Sequence, residues 1–321
     1  MVTRRTVCVA VGTALVALAT GGVASAADKL RVALAVPGFT PYAPVYAAQD
    51  LGIYKAKNLD VELTVYRGGP AAQEAVAAGA ADILSFFPPG VALAIKKGVK
   101  EKIVAGAASV TPQGWHILVK ADSPIKSLKD LAGKKIGITA KGATSDFYAL
   151  WAGKMSGGEI QTIPLGGAGI LPALKASQID AAALWPNLSY RLIEGKEGRS
   201  LVDLGKEMPP NLPEVWVATD AMIAEKPDLV KRFLESIMKA TAHMQKDEAY
   251  GVGYVKKYAE EKDDKVAKMA YDAIIKTART DGKVEVEWLK NAYQLANLAG
   301  IADLPPIEQI WTDKFLPVKA E

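Results

Sequence analysis

The chain has 321 residues, half of them hydrophobic, with a net charge of +4, two His and one Cys. So small a charge gives no electrostatic case for a nucleic-acid partner, and one Cys excludes an internal disulfide framework. The length accommodates one large domain or two medium ones.

Residues 1–26 read as an export signal. Arg4 and Arg5 open it, residues 7–18 form an apolar run, and Ala24-Ser25-Ala26 supplies small residues for cleavage. The run falls short of the about 20 apolar residues that span a bilayer. Thr3-Arg4-Arg5 fits general export and also a twin-arginine route. Cys8 precedes the apolar run, so no lipid anchor is expected, and cleavage removes it together with any thiolate metal site. The expected product is a periplasmic protein without a cofactor or a metal.

Along the remaining chain, short apolar or alternating runs at 30–36, 61–66, 82–86, 102–107, 115–119, 135–139, 180–184 and 215–219 alternate with helical stretches. That order predicts an α/β fold with parallel sheets covered on both faces. Beyond Thr219 the apolar spacing becomes three and four, as in Leu229, Phe233 and Ile237, which predicts helices over 226–245, 264–279 and 285–298.

An internal echo organises the chain. Laid glycine on glycine, GGPAAQEAVAAGAADILSFFP from Gly68 parallels GGAGILPALKASQIDAAALWP from Gly166, with Asp82 on Asp180 and Phe87-Pro88 on Trp185-Pro186. Shared Ala-rich composition alone would not match those offsets, so duplicated Rossmann-like lobes are expected. Open α/β sheets bind ligands at the carboxyl ends of their strands, and two such edges face each other across a cleft. The boundaries place 27–111 plus 219–321 in one lobe and 112–218 in the other, with two crossovers between them.

Candidate ligand contacts follow from those edges. Gly38 turns the loop after the first strand, Thr40 offers a hydroxyl or a helix cap, and Phe39 and Tyr42 offer flat faces or core packing. Gly142, Ala143, Thr144 and Ser145 open a helix whose free N–H groups attract an anion, unless the hydroxyls merely cap it. Phe86, Phe87 and Trp185 stand at strand exits, and Gly166 and Gly167 can bring backbone N–H groups close to a ligand. His116 lies near a crossover, whereas His243 sits in an amphipathic helix as surface or core. No metalloprotease, nucleophile-elbow, phosphate-loop, EF-hand or dinucleotide motif occurs.

The stretches YAPVYAAQDLGIYKAKNLDVEL from Tyr42, SLKDLAGKKIGI from Ser127 and the GATSD helix start resemble the sulfonate/nitrate/taurine class of ABC-importer solute-binding proteins, which share ancestry with thiamine-pyrimidine-precursor binders. The resemblance covers essentially the whole chain after the signal. It implies the periplasmic-binding-protein type II fold, a two-crossover hinge and a small ligand held in the interlobe cleft. It also implies a permease partner in the inner membrane, a monomer, and an oxyanion near Ala143 to Ser145. Those loops carry no Arg, with Arg67 and Arg191 the nearest, so the expected ligand is a sulfonate or carboxylate monoanion with an organic, even aromatic, body. The alternative is a neutral pyrimidine-like heterocycle. A pyrimidine-precursor synthase of this architecture is disfavoured by the missing Cys, and a LysR-type effector domain by the export signal.

Overall fold

The computed structural model describes residues 26–107 and 109–320; the export signal expected over 1–26 lies, apart from Ala26, outside them. Ten strands follow in chain order: β1 (Asp28–Leu34), β2 (Leu59–Val65), β3 (Ile83–Phe86), β4 (Glu101–Gly106), β5 (His116–Lys120), β6 (Lys135–Ile138), β7 (Gln161–Pro164), β8 (Ala181–Leu184), β9 (Gly198–Asp203) and β10 (Val215–Thr219). They form two five-stranded sheets in the orders β2-β1-β3-β10-β4 and β7-β6-β8-β5-β9. Each sheet with its helices is one lobe.

The expectation of parallel sheets needs one correction per lobe. β10 runs antiparallel to β3 and β4, and β5 runs antiparallel to β8 and β9. The cause is the crossing itself. A chain arriving from the other lobe enters at the edge where the parallel strands end, so it must run against them. The crossings also shift a boundary, because 215–218, expected in the second lobe, hydrogen-bonds in the first sheet. β7 and β9 were not anticipated; β7 is four residues long and β9 carries Arg199 and Ser200 in place of an apolar run.

The echo has a physical basis. The Arg31 amide donates to the Asp82 carboxylate at 3.0 Å while the Asp82 amide donates to the Arg31 carbonyl at 2.9 Å. Lys135 and Asp180 make the same pair at 2.8 and 2.9 Å. The repeated aspartates thus fasten the central strands β3 and β8 to β1 and β6 at the end away from the crossings. The antiparallel strands match too, each with a register shift after its second residue, between Ile117 and Leu118 and between Trp216 and Val217.

The C-terminal helices do not stay on one lobe. Helix Pro227–Lys246 buries Leu229, Phe233 and Ile237 on the first lobe, with Phe233 edge-on to Trp216 at 5.3 Å, and burial of each such side chain contributes about 1.5–3 kcal/mol. Helix Asp264–Ile274 packs on Pro186–Glu194 of the second lobe, and Val286–Leu298 touches both Pro88–Lys96 and Thr144–Ser156. The helix expected over 264–279 stops early because Gln245 Nε2 donates to the carbonyls of Ile275 and Ala278, each at 2.8 Å, and holds the chain beyond Ile274 in a turn.

Candidate functional site

Where the lobes meet, residues from both crossings and both sheet edges enclose a cavity of about 30 Å³. From the first lobe, the loop after β1 delivers Phe39 and Tyr42. Gly38 sits at φ +64, a left-handed turn that L side chains rarely adopt, and this swings the loop inward. The Tyr42 hydroxyl is fixed by the Ala35 amide at 3.3 Å. Phe86 leaves β3 with its ring wedged between two glycine backbones: a Cβ on Gly69 would stand 1.9 Å from Cε2, and one on Gly90 2.3 Å from Cε1.

From the second lobe come Thr139, Ala143, Thr144, Ser145 and Trp185. The Ser145 hydroxyl is engaged locally, with the Thr139 amide donating to it at 3.0 Å and the two hydroxyls 2.9 Å apart. Asp146 accepts from the Gly142 amide at 2.8 Å. The helix start expected to hold an anion is therefore partly closed by its own residues, including a carboxylate.

Trp115, on the first crossing, completes an aromatic box. Its ring lies 6.0 Å from Phe39, 6.4 Å from Trp185 and 5.2 Å from Tyr148. Phe39 in turn lies 5.0 Å from Tyr42 and 6.2 Å from Trp185. The Trp185 indole N–H is buried and has no hydrogen-bond partner among the described residues.

Glu214, on the return crossing just before β10, brings a carboxyl to the lining of this cavity. It is buried and bonded to one hydroxyl from each lobe: Ser85 donates to Oε2 at 2.9 Å, and Thr144 makes a long contact of 3.5 Å to Oε1. Burial pushes its carboxyl up to about 8, against the downward pull of those hydroxyls. At neutral pH such a group is mostly protonated, and both donates and accepts.

The anticipated residues divide. Phe39, Tyr42, Phe86, Ala143, Thr144, Ser145 and Trp185 line the cavity. Gly166 and Gly167 line an adjoining open cleft of about 820 Å³ that shares Val36 and Thr139 with it. Gly38 lines a groove that shares Trp185 with the cavity and Gly167 with the cleft, and Gly142 lines one that shares Phe86 with the cavity. Thr40 donates across the lobes to Asn187 at 3.3 Å, and Phe87 is buried behind the box against Phe147 and Tyr148. His116 faces away, 2.7 Å from the Ser200 hydroxyl, with burial lowering its pKa. Trp115 and Glu214 were not anticipated.

A protein-family model described as NMT1/THI5 like matches residues 40–249. The chain belongs to that family. Relatives of this NMT1/THI5-like chain include binding proteins of Brucella abortus and Brucella suis, each 30% identical over 198 residues. Those alignments span 60% of this chain and 60% of the relatives' own length. Among solved structures, the alkanesulfonate-binding protein SsuA of Xanthomonas axonopodis, bound to MOPS, superposes with a TM-score of 0.75 at 18% identity, covering 88% of this chain and 98% of its own. The aliphatic sulphonate binding protein SsuA of Escherichia coli gives 0.71 at 21%, covering 90% and 99%. The nitrate-binding protein NrtA of Synechocystis gives 0.62 at 15%, covering 76% and 69%. The NMT1/THI5-like chain therefore has the type II periplasmic-binding fold expected from its sequence. No helix among its described residues is long and apolar enough to cross a membrane.

Proposed function

We propose that this protein is the extracytoplasmic solute-binding component of an ABC importer, a periplasmic monomer that closes two lobes on a small organic ligand and presents it to an inner-membrane permease. Family membership and the box built from both lobes support that reading. Binding, rather than turnover, is its task.

The ligand best supported is a flat heterocycle with adjacent hydrogen-bond donor and acceptor atoms, such as an aminopyrimidine. One observation carries this: Glu214 is a buried carboxyl lining the cavity together with aromatic rings, and that burial favours its neutral form. A carboxylic acid offers one donor and one acceptor side by side, the complement of an amino group next to a ring nitrogen. The rings of Phe39, Trp115 and Trp185 supply flat apolar surface. A sulfonate or carboxylate, the first expectation, would find no Arg or Lys among the residues lining the cavity and would stand against Glu214.

Calorimetric titration of the signal-free protein at neutral pH tests the choice. Aminopyrimidine should bind; Glu214→Gln, which keeps a donor and an acceptor side by side, should retain that binding within a few-fold, whereas Glu214→Leu should weaken it about tenfold, since each neutral hydrogen bond contributes about 0.5–1.5 kcal/mol. Tight binding of alkanesulfonates or benzoate, with no heat from aminopyrimidine, would replace this reading with the anion one.

A further inference from the structure

We infer that the ligand carries an acidic substituent, a carboxylate, sulfonate or phosphate, that leaves the aromatic box and pairs with Arg67. The inference rests on the proposal above that the box and Glu214 form a slot for a flat ring, and adds the second end of the molecule.

Arg67 lines the open cleft of about 820 Å³ that adjoins the box through Val36 and Thr139. The two spaces share that wall, so once the lobes part a ring in the box can extend a substituent into the cleft along the interlobe seam. The cleft has a wall from each lobe. Arg67 belongs to the first, and Gly166 and Gly167 to the second. The lobes are close there: a Cβ on Gly68 would stand 3.2 Å from Ala140 Cβ.

Three observations single out this arginine. Its guanidinium makes no ion pair or hydrogen bond among the described residues. Among the described residues no Asp or Glu lines the cleft. The other cations near the seam are engaged: Arg191 donates to Glu261 at 2.8 Å, and Lys141 bonds the Thr162 hydroxyl. A guanidinium presents a planar fork that fits carboxylate, sulfonate or phosphate oxygens two at a time. With Glu214 reading the ring and Arg67 the tail, selectivity is set at both ends.

The test uses a matched pair, aminopyrimidine and its ring carboxylate, titrated into the signal-free protein and into Arg67→Gln and Arg67→Lys. Wild type should bind the carboxylate about tenfold tighter than the parent. Arg67→Gln should erase that preference and Arg67→Lys restore part of it, while Glu214→Leu, which removes both the donor and the acceptor, weakens both compounds alike. The preference should also shrink with added salt, since Arg67 is exposed. Equal wild-type affinities, or a preference that survives Arg67→Gln, overturns the inference and leaves the slot reading standing. Binding of neither compound overturns the slot reading, and the inference falls with it.

Discussion

Gly69 and the Phe86 ring occupy space that only a missing side chain allows, because a Cβ on Gly69 would lie 1.9 Å from the ring's Cε2. The ring has little room to retreat, since the Gly90 backbone backs its other edge, where a Cβ would lie 2.3 Å from Cε1. Gly69→Ala should therefore cost about 1–3 kcal/mol in urea unfolding, the usual range for overpacking. Adding Phe86→Leu should recover part of the loss. Costs that simply add in the double variant would show that the two residues are not in conflict.

The carboxyls of Glu214 and Glu101 set a pH dependence with a definite sign. Burial raises them from 4.5 to about 8 and about 7, so the folded state keeps protons that the unfolded chain has released. Stability should be greatest below about pH 4.5 as far as these groups are concerned. It should fall as pH rises through 7 and 8, then level off. Each group contributes at most about 1.4 kcal/mol per pH unit. Denaturation midpoints across this range should decline, and Glu214→Gln should flatten the upper part of the slope. A Glu214→Gln curve parallel to wild type would mean that Glu214 is ionised in the folded protein.

Much of this was legible before folding was considered. The Asp82 and Asp180 offsets reported two equivalent strands because each aspartate serves its own local strand pair. The aromatic-Pro exits reported the sheet edges, since Pro ends a strand where the chain turns into a helix. What could not be read was made by the crossings. Trp115 and Glu214 meet only because two distant segments pass between the lobes side by side. The one trace of Glu214 was an acid placed between Pro213 and the apolar run Val215 to Ala218. His116 drew attention that belonged to its neighbour: successive strand residues face opposite sides, so with Trp115 in the box His116 turns toward Ser200.

Closure is the next expectation. The cavity of about 30 Å³ is too small for a six-membered ring, and Phe39 touches Trp185 across the lobes at 6.2 Å, so ligand must enter while the lobes are apart. The Thr40–Asn187 hydrogen bond and the Arg191–Glu261 ion pair, one turn apart on helix Pro186–Glu194, then tie that helix down beside the box. Ligand should shift the population toward the compact form, and small-angle scattering should register a smaller radius of gyration with ligand than without. Tight binding with an unchanged scattering profile would confine the ligand to one lobe.

The Trp185 indole separates two contributions that a single alanine variant would merge. Its ring forms a wall of the box, and its N–H is buried without a partner among the described residues, a state that costs about 1–3 kcal/mol unless a ligand oxygen or nitrogen accepts from it. Trp185→Ala removes both features and should weaken an aromatic ligand by about 1–3 kcal/mol in calorimetric titration. Trp185→Phe keeps a flat ring and removes the donor. If the ligand accepts from the indole, the Phe variant should bind several-fold more weakly than wild type while gaining stability in its ligand-free form, because the stranded donor is gone. If the ring alone matters, the Phe variant should bind as well as wild type, and the donor would have no part in recognition.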